Sequence, residues 1–272
     1  MNILITGGTG LIGRNLLSRL RKDDKITVVA RQSIELVKLK NEFPHIKVIR
    51  GNIKHEKFVK KIVKGIHVVY HLAALRAVGI AERHVHDCIN TNVIGTMNLL
   101  RYFKGSRFVT LSSDKAVQIN SVYGATKFLV EKLIFERINK CADDVRYLII
   151  RSGNVFGSKD SVMSVWKQQL QNREEITVTD LNATRYFCTI DQVINSILQS
   201  DNECRKIIRC LDLKSTSLKV LLEAMQIKYG KAIKINVIGI QQGENKHEKL
   251  KSNGISSDKA KKYTLRELSK LI

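Results

Sequence analysis

The stretch SSDKAVQINSVYGATK, residues 112–127, gathers two leading hydroxyls, a carboxylate, two lysines and a tyrosine within sixteen positions. If the chain is helical from Ser121 onward, Tyr123 and Lys127 stand four apart, one turn above each other on the same face. A lysine so placed lowers the phenol's pKa from about 10 by charge proximity and makes Tyr123 a usable base near neutral pH. Ser113, Asp114 and Lys115 stand just ahead of this pair. A solvated helix face presents tyrosine and lysine at the same spacing, so the pair gains meaning only from the elements that position it.

Those elements follow from the hydrophobic pattern. Short apolar runs alternate with longer amphipathic stretches through the first 150 residues, the pattern of strand and helix units in a parallel sheet. Strands are expected at Asn2–Thr6, Lys25–Ala30, Lys47–Arg50, His67–His71, Arg107–Leu111 and Arg146–Arg151, with helices between them. The longest helices are expected at Ile80–Phe103 and Ser121–Cys141, with apolar residues at three and four spacing, such as Phe128, Leu129 and Leu133 in the second, where Lys132 and Glu136 face outward. Beyond residue 152 the alternation becomes irregular. Helices are expected at Ser161–Gln171, Asp191–Gln199, Leu218–Tyr229 and from Asp258 to the end, with a strand at Ile233–Ile238. The fold class is therefore α/β: a Rossmann-type, doubly wound parallel sheet with a smaller C-terminal substrate-binding lobe. Residues 1–152 form the dinucleotide-binding domain, with 188–212 packing back on it, and residues 153–187 and 213–272 build the smaller lobe.

The sequence ILITGGTGLIGRNLL sets Gly7, Gly10 and Gly13 directly after a buried strand and at the opening of a helix. This spacing allows a tight turn, close backbone approach to a pyrophosphate and close helix packing, with the helix start favouring negative charge. Thr9, Leu11 and Ile12 lie within the same loop and join the candidate cofactor contacts. After the second strand, Arg31 stands where an acid would bond the ribose 2′-hydroxyl of NAD, and a cation there suits the 2′-phosphate of NADP. NADP is the first expectation, with NAD as the alternative. Asn52 and Ile53 follow the third strand, where the Asn52 amide could bond an adenine edge. Ala73 and Ala74 in HLAAL are small enough for the chain to pass beneath a cofactor, although a plain strand end accounts for them equally well.

Composition narrows the function classes. The 47 basic and 25 acidic residues give a net charge of +22, which favours anionic partners. The lysines are spread without interleaved aromatics, which argues against nucleic acid binding as the main function. No apolar run reaches the ~18 residues of a membrane span, and no basic leader precedes a hydrophobic stretch, so a cytoplasmic location is expected. Cys88, Cys141, Cys188, Cys204 and Cys210 are an odd, scattered set without a Cys-x-x-Cys, as expected of reduced thiols. His84 and His86 have no companion ligands in the sequence and read as a solvated helix face, so no metal is expected.

With the glycine loop, Ser113 and Tyr123-x-x-x-Lys127 in order, the chain resembles an extended short-chain dehydrogenase/reductase. The segments SSDKAVQINSVYGATK, HLAALRAVGIAE, CINTNVIGTMNLL, RSGNVFGSKDSV, TRYFCT and GENKHEKL resemble, in order, blocks of the 5-inverting UDP-N-acetylglucosamine 4,6-dehydratases, the CapD-type polysaccharide biosynthesis proteins. The likeness runs from residue 2 to about 250, and the Asp-Lys pair ahead of the tyrosine is its specific element. The resemblance implies that Tyr123, held by Lys127 and Ser113, takes the proton of the sugar 4-hydroxyl while hydride passes from carbon 4 to NADP. The ketone acidifies carbon 5. Lys115 then removes the carbon 5 proton, Asp114 protonates the departing 6-hydroxyl, hydride returns to carbon 6, and reprotonation of carbon 5 from the opposite face gives the inverted 4-keto-6-deoxy sugar. A lysine base must be neutral against its ordinary pKa of about 10.4, so the split of roles between Asp114 and Lys115 stays open. The resemblance also places Arg76, Glu82, Asn154 and Arg185 at the UDP-sugar, and it implies a homo-oligomer paired through the two long helices.

The chain departs from the family pattern in several places. It is shorter between HEKL and YTLRELSKLI, where the substrate lid would form. Ser113 replaces a more usual threonine, and Ser152 stands where an aromatic often precedes Gly-Asn. The membrane-spanning leader of larger relatives is missing, which implies the soluble type. Two other functions are compatible with parts of this pattern. A sugar nucleotide 4-epimerase needs the serine, tyrosine and lysine but not Asp114-Lys115, and a catalytically silent NADP-binding protein needs only the cofactor site.

Overall fold

The structure is a computed structural model that describes residues 1–140, 145–159, 161–172, 175–199, 208–230 and 234–272. Cys141, Cys204 and Ile233, each part of an expectation above, lie outside the described residues.

Seven parallel strands form the main sheet: β1 (Asn2–Thr6), β2 (Lys25–Ala30), β3 (Lys47–Arg50), β4 (Val68–His71), β5 (Arg107–Ser113), β6 (Arg146–Ser152) and, later in the chain, β10 (Ile208–Cys210). Their order is β10-β6-β5-β4-β1-β2-β3, with register partners such as Ile5↔Val28 and Ile5↔Tyr70 across β1. The direction of winding reverses between β1 and β4, which opens a crevice at their carboxyl ends. β1 and β4 are apolar and nearly continuous in burial, because helices cover both sides of a parallel sheet. Strand alternation divides the core. Ile3, Ile5 and Val28 pack with Leu16, Leu36, Val193 and Ile197 on one face, while Leu4, Val29 and Val69 pack with Leu99, Phe103, Phe108 and Ile134 on the other. The fold is a Rossmann-type doubly wound α/β fold.

Helices α1 (Leu11–Leu17), α2 (Ser33–Glu42) and α3 (Glu56–Ile62) follow the first three strands. The helix expected over Ile80–Phe103 is instead divided into α4 (Val78–Arg83), α5 (Val85–Ile89), a π-type stretch at Asn90–Ile94 and α6 (Gly95–Tyr102). His84 breaks the first junction with φ −124° and ψ 56°. At the second, the Asn92 side chain turns inward to accept the Leu75 N–H at 2.8 Å and to donate to the Leu75 carbonyl at 3.0 Å. The buried amide thus fixes the chain beyond β4, and the helix widens locally to admit it.

α7 (Val122–Lys140) follows β5, and its buried face differs from the apolar stripe read in the sequence. Lys127, Val130, Glu131 and Ile134 point inward, whereas Leu129 is 46% exposed. α8 (Val162–Gln171) and α9 (Ile190–Leu198) match their expected spans to within a residue, and α9 carries a capping box between Thr189 and Gln192.

A three-stranded sheet of β7 (Asn154–Val155), β9 (Thr184–Cys188) and β11 (Lys214–Ser217), and a two-stranded sheet of β8 (Ile176–Val178) and β12 (Ile235–Val237), complete the strands among the described residues. They pack with α8, α10 (Leu218–Tyr229) and α11 (Leu265–Leu271) around Trp166, Phe187, Leu221 and Leu268. The terminal helix begins at Leu265 rather than at Asp258, because the Thr264–Glu267 capping box sets its start. No helix among the described residues is long and apolar enough to cross a membrane.

Candidate active site

At the end of β1 the chain turns at Gly7, whose φ is +73°. A Cβ there would lie 2.6 Å from the Ala73 nitrogen just past β4, so both dihedral and contact require glycine. A Cβ at Gly13 would lie 2.4 Å from the Gly8 Cα, which seats α1 directly on the turn. Gly10 instead meets only the Gly7 carbonyl, at 3.4 Å, and it precedes α1 without a side-chain cap. The loop through Thr9, Gly10, Leu11 and Ile12 therefore presents bare backbone at the mouth of the crevice, with Ala73 and Ala74 across from it. A pyrophosphate fits such a cradle. Arg31 is exposed one residue beyond β2. Asn52 spends its Oδ1 on the Lys54 N–H at 3.1 Å and keeps its amide donors for other contacts. Ile53 is a core residue whose Cδ1 fills the space above Gly95.

α7 places Tyr123 and Lys127 on one face. Lys127 is buried and donates to the Leu111 carbonyl at 2.8 Å, with its Nζ 6.0 Å from the Tyr123 ring centroid. Burial lowers the Lys127 pKa to about 8, against the opposing effects of Cys88 and Glu131. Tyr123 does not behave as the sequence spacing suggests. Burial raises its phenol to about 12, with Asp114 acting in the same direction, while Lys115, Ser113 and Arg76 work against the rise. The lysine that opposes this most strongly is Lys115, not its helical neighbour.

Ser113 ends β5 and caps the single turn Asp114–Ala116. Its hydroxyl donates to Asp114 Oδ1 at 2.7 Å. Asp114 is 1% exposed, and its Oδ2 is buried with no hydrogen-bond partner. Burial first, then the negative charge of Glu248, raises its carboxyl to about 7, with Lys115 and Ser113 opposing. Lys115 Nζ lies 2.8 Å from Glu248 Oε1 and 3.3 Å from Asp114 Oδ1. Burial would favour neutral Lys115, but the two carboxyls outweigh it and hold the ammonium well above its ordinary range. Glu248 is held low in spite of burial, by Lys115 and then Arg185.

The other residues read from the sequence lie around this centre. Arg185 on β9 donates to the carbonyls of Thr184 and Lys246 at 2.9 and 3.1 Å, and its Nε lies 3.5 Å from Glu248 Oε1. Asn154 donates to the Tyr186 carbonyl at 3.1 Å and reaches Glu248 Oε2 at 3.5 Å. Arg76 is exposed and donates to the Lys159 carbonyl at 2.7 Å. Glu82 accepts the Val122 N–H at 2.7 Å, so its carboxylate caps the start of α7. Among the described residues no group of three or more His, Cys, Asp and Glu side chains is arranged to hold a metal.

The sequence profile described as Polysaccharide biosynthesis protein matches residues 3–268. The chain belongs to that family. As a polysaccharide biosynthesis family member it is similar to an uncharacterized membrane protein of Methanocaldococcus jannaschii, 31% identical over 91% of this chain and 79% of that protein. It is similar also to a UDP-glucose 4-epimerase of Rickettsia akari, 30% identical over 95% of this chain and 79% of that protein. Among solved structures, Pen from Bacillus thuringiensis superposes with a TM-score of 0.92 at 28% identity, covering 99% of this chain and 96% of Pen.

One residue of this family member's site escaped the sequence reading. Glu248 lies in NKHEKLK, a run of charges that looks solvated, and its partner Lys115 is 133 positions away. The only available signal was its place in the GENKHEKL block. A second pair, buried Glu131 with half-buried Arg151, was equally hidden. Arg151 donates to Glu131 Oε1 at 2.7 Å, Ser112 donates to the same oxygen at 2.6 Å, and Arg151 also reaches the Leu250 carbonyl at 3.2 Å. These contacts tie α7, β5, β6 and the chain just past Glu248 into one unit.

Proposed function

We propose that this enzyme of the sugar nucleotide epimerase/dehydratase type is a 4,6-dehydratase acting on a UDP-sugar, with UDP-N-acetylglucosamine the first substrate to test. The observation that carries this reading is Asp114: a buried carboxyl, proton-bearing near neutral pH, with one oxygen unpartnered beside Lys115. Moving a hydride at carbon 4 does not call for such a group. Expelling a 6-hydroxyl does, because hydroxide is a poor leaving group until it is protonated.

The cradle of Gly7, Thr9, Gly10 and Gly13, with Arg31 beyond β2, would hold a nicotinamide cofactor, NADP ahead of NAD. Bound there, the cofactor supplies hydride uptake and return, and its oxidised ring adds positive charge near the phenol. The chain's own groups do the rest. Tyr123 accepts the proton of the sugar 4-hydroxyl, steadied by Ser113 and by Lys127 on the Leu111 carbonyl. Asp114 delivers a proton to the departing 6-oxygen, and Lys115 takes the proton from carbon 5. Lys115 must first shed a proton, since its neighbours keep it an ammonium. Arg185 and Asn154, both beside Glu248, would serve as the contacts to the UDP-sugar, since arginine suits a pyrophosphate through paired hydrogen bonds.

A 4-epimerase is the second reading. It is favoured by the ion pair that occupies Lys115 and by the name of the Rickettsia akari relative. Incubating the purified protein with UDP-N-acetylglucosamine in deuterated water, followed by mass spectrometry and proton NMR, separates the two. Loss of one water with deuterium at an inverted carbon 5 supports the dehydratase. A 4-epimer with no loss of water refutes it.

A further inference from the structure

The Asp114–Lys115 pair is completed by a residue from the far end of the chain. Glu248 Oε1 lies 2.8 Å from Lys115 Nζ and 3.5 Å from Arg185 Nε, and its side chain is 3% exposed. The segment that delivers it is fixed on two sides. Asn120 donates to the Glu244 carbonyl at 2.9 Å and Asn245 to the Gln118 carbonyl at 3.0 Å, which fasten the segment to the loop just after Lys115. The Glu248 N–H donates to Ser257 Oγ at 2.9 Å, Ser257 Oγ meets Thr184 Oγ1 at 2.6 Å, and Thr184 Oγ1 meets His247 Nδ1 at 2.8 Å. That knot fastens it to β9 beside Arg185. So much buried hydrogen bonding exceeds what a surface carboxylate would need.

Two carboxyls and one ammonium thus share a buried space, and the two carboxyls are unequal. Glu248 touches two cations, Lys115 and Arg185, whereas Asp114 touches Lys115 alone, at the longer distance of 3.3 Å, with one oxygen unpartnered. A proton entering this space goes to Asp114, because two like charges side by side are avoided and Glu248 is the better compensated. Building on the dehydratase reading, we propose that Glu248 is a positioning residue that holds Lys115 against Asp114 and sets how many protons the pair carries when substrate arrives. Acting through both partners, it keeps the acid loaded and the lysine charged, so the pair must lose one proton to become competent.

The consequence is a direction in pH. A pair with one acid and one base carries one proton fewer than the resting pair, so the elimination rate rises as that proton is lost. The groups facing Asp114 are Ser113 and Lys115 on its own turn, Tyr123 from α7, Tyr186 and Cys188 from β9, with Arg185 behind Glu248. Replacing Glu248 by an uncharged isostere removes the negative charge that acts on Asp114 and one of the two that act on Lys115, and the rising limb moves to lower pH.

The test compares the wild type with Glu248→Gln and Glu248→Asp. The carboxyl carbon of Asp114, assigned by its loss in Asp114→Asn, is titrated by carbon-13 NMR in each protein without substrate. A midpoint lowered by at least one pH unit in Glu248→Gln, and retained near the wild-type value in Glu248→Asp, is expected. An unchanged midpoint in folded Glu248→Gln overturns the proposal. Where Glu248→Gln fails to fold, a Glu248→Asp midpoint at the ordinary aspartate value overturns it, since the charge is still present. With UDP-N-acetylglucosamine, the rising limb of the elimination rate should shift with the midpoint. A wild type that forms no dehydrated product refutes the dehydratase reading alone, because the titration is read without turnover.

Discussion

Glu82 Oε1 accepts the backbone N–H of Val122 at 2.7 Å, so a short helix beyond β4 closes the exposed start of the helix that carries Tyr123 and Lys127. The first N–H groups of a helix have no internal partner, and here a side chain 40 positions away supplies one. Ser121 Oγ accepts the Gly124 N–H at 3.0 Å and supplies another. Removing the carboxylate in Glu82→Ala should cost about 0.5–2 kcal/mol, the usual range for a lost cap. The cost should appear as a lower midpoint in thermal unfolding, together with a fall in turnover that Glu82→Gln partly restores. Equal turnover in the alanine variant would mean that the placement of Tyr123 does not depend on this cap.

Asp114 predicts a pH dependence of stability whose sign is opposite to that of most carboxylates. Its folded pKa of about 7 lies above the ordinary aspartate value, so the folded protein binds the extra proton between roughly pH 4 and 7. The benefit is complete below the unfolded pKa and is lost as pH rises through 7. Asp114→Asn should therefore gain relative to wild type on going from pH 4.5 to pH 8, by on the order of a few kcal/mol. Denaturant titrations at the two pH values measure this. A difference that does not change with pH would show an aspartate that ionises normally.

Lys115 and Asp114 can be separated by the leaving group. In Lys115→Ala the oxidation at carbon 4 should survive while water elimination is lost, seen as reduced cofactor without dehydrated product. Unimpaired dehydration would remove the role assigned to this lysine. A 6-fluoro substrate needs little protonation to depart, so Asp114→Asn should recover at least tenfold in elimination with it, and Lys115→Ala should not.

What the sequence disclosed and what it hid divide along a physical line. β1, β2, β3 and α10 were read to the residue, because their signals are local: a short apolar, β-branched run, or three- and four-spaced leucines ending at Gly230 in the left-handed region. Tyr123, Lys127 and the glycine cradle were legible for the same reason. The break at Asn90–Ile94 was not, because it depends on the Asn92 amide reaching the Leu75 backbone, a contact made only when the sheet is assembled. The start of α11 could have been read from Thr-Leu-Arg-Glu at 264–267, a capping-box spacing. Glu248 could not, since a single acid among lysines looks solvated until the fold sets it against Lys115. The raised phenol of Tyr123 also belongs to the assembled site, where burial outweighs Lys115.

His71 gives an acid-side prediction independent of catalysis. It is fully buried at the end of β4, with Nδ1 2.7 Å from Thr6 Oγ1 and Nε2 2.8 Å from Thr96 Oγ1. Burial, with Lys127 in the same direction, lowers its pKa to about 3. The unfolded chain thus binds a proton below about pH 6.5 that the folded chain refuses, and stability falls as pH drops through that value. Between pH 7 and pH 5 this one residue should account for about 2 kcal/mol of lost stability. His71→Gln should flatten the urea-unfolding profile over that window by the same amount, and an equally steep profile would place the titration elsewhere.

Arg31 offers a test of the cofactor preference. It is exposed just past β2, the strand next to β1 and its glycine turn. A guanidinium there can pair with a 2′-phosphate, whereas NAD offers only a hydroxyl, for which an acid is the better partner. Arg31→Asp should therefore weaken NADP by at least tenfold and leave NAD unchanged or tighter, measured by calorimetric titration of the cofactor-free protein. The reversal separates a specific contact from the general pull of a chain with net charge +22, because the substitution lowers that charge for both cofactors alike. If NADP affinity stays the same, Arg31 is a surface arginine and the preference must be sought among the other cations around the crevice.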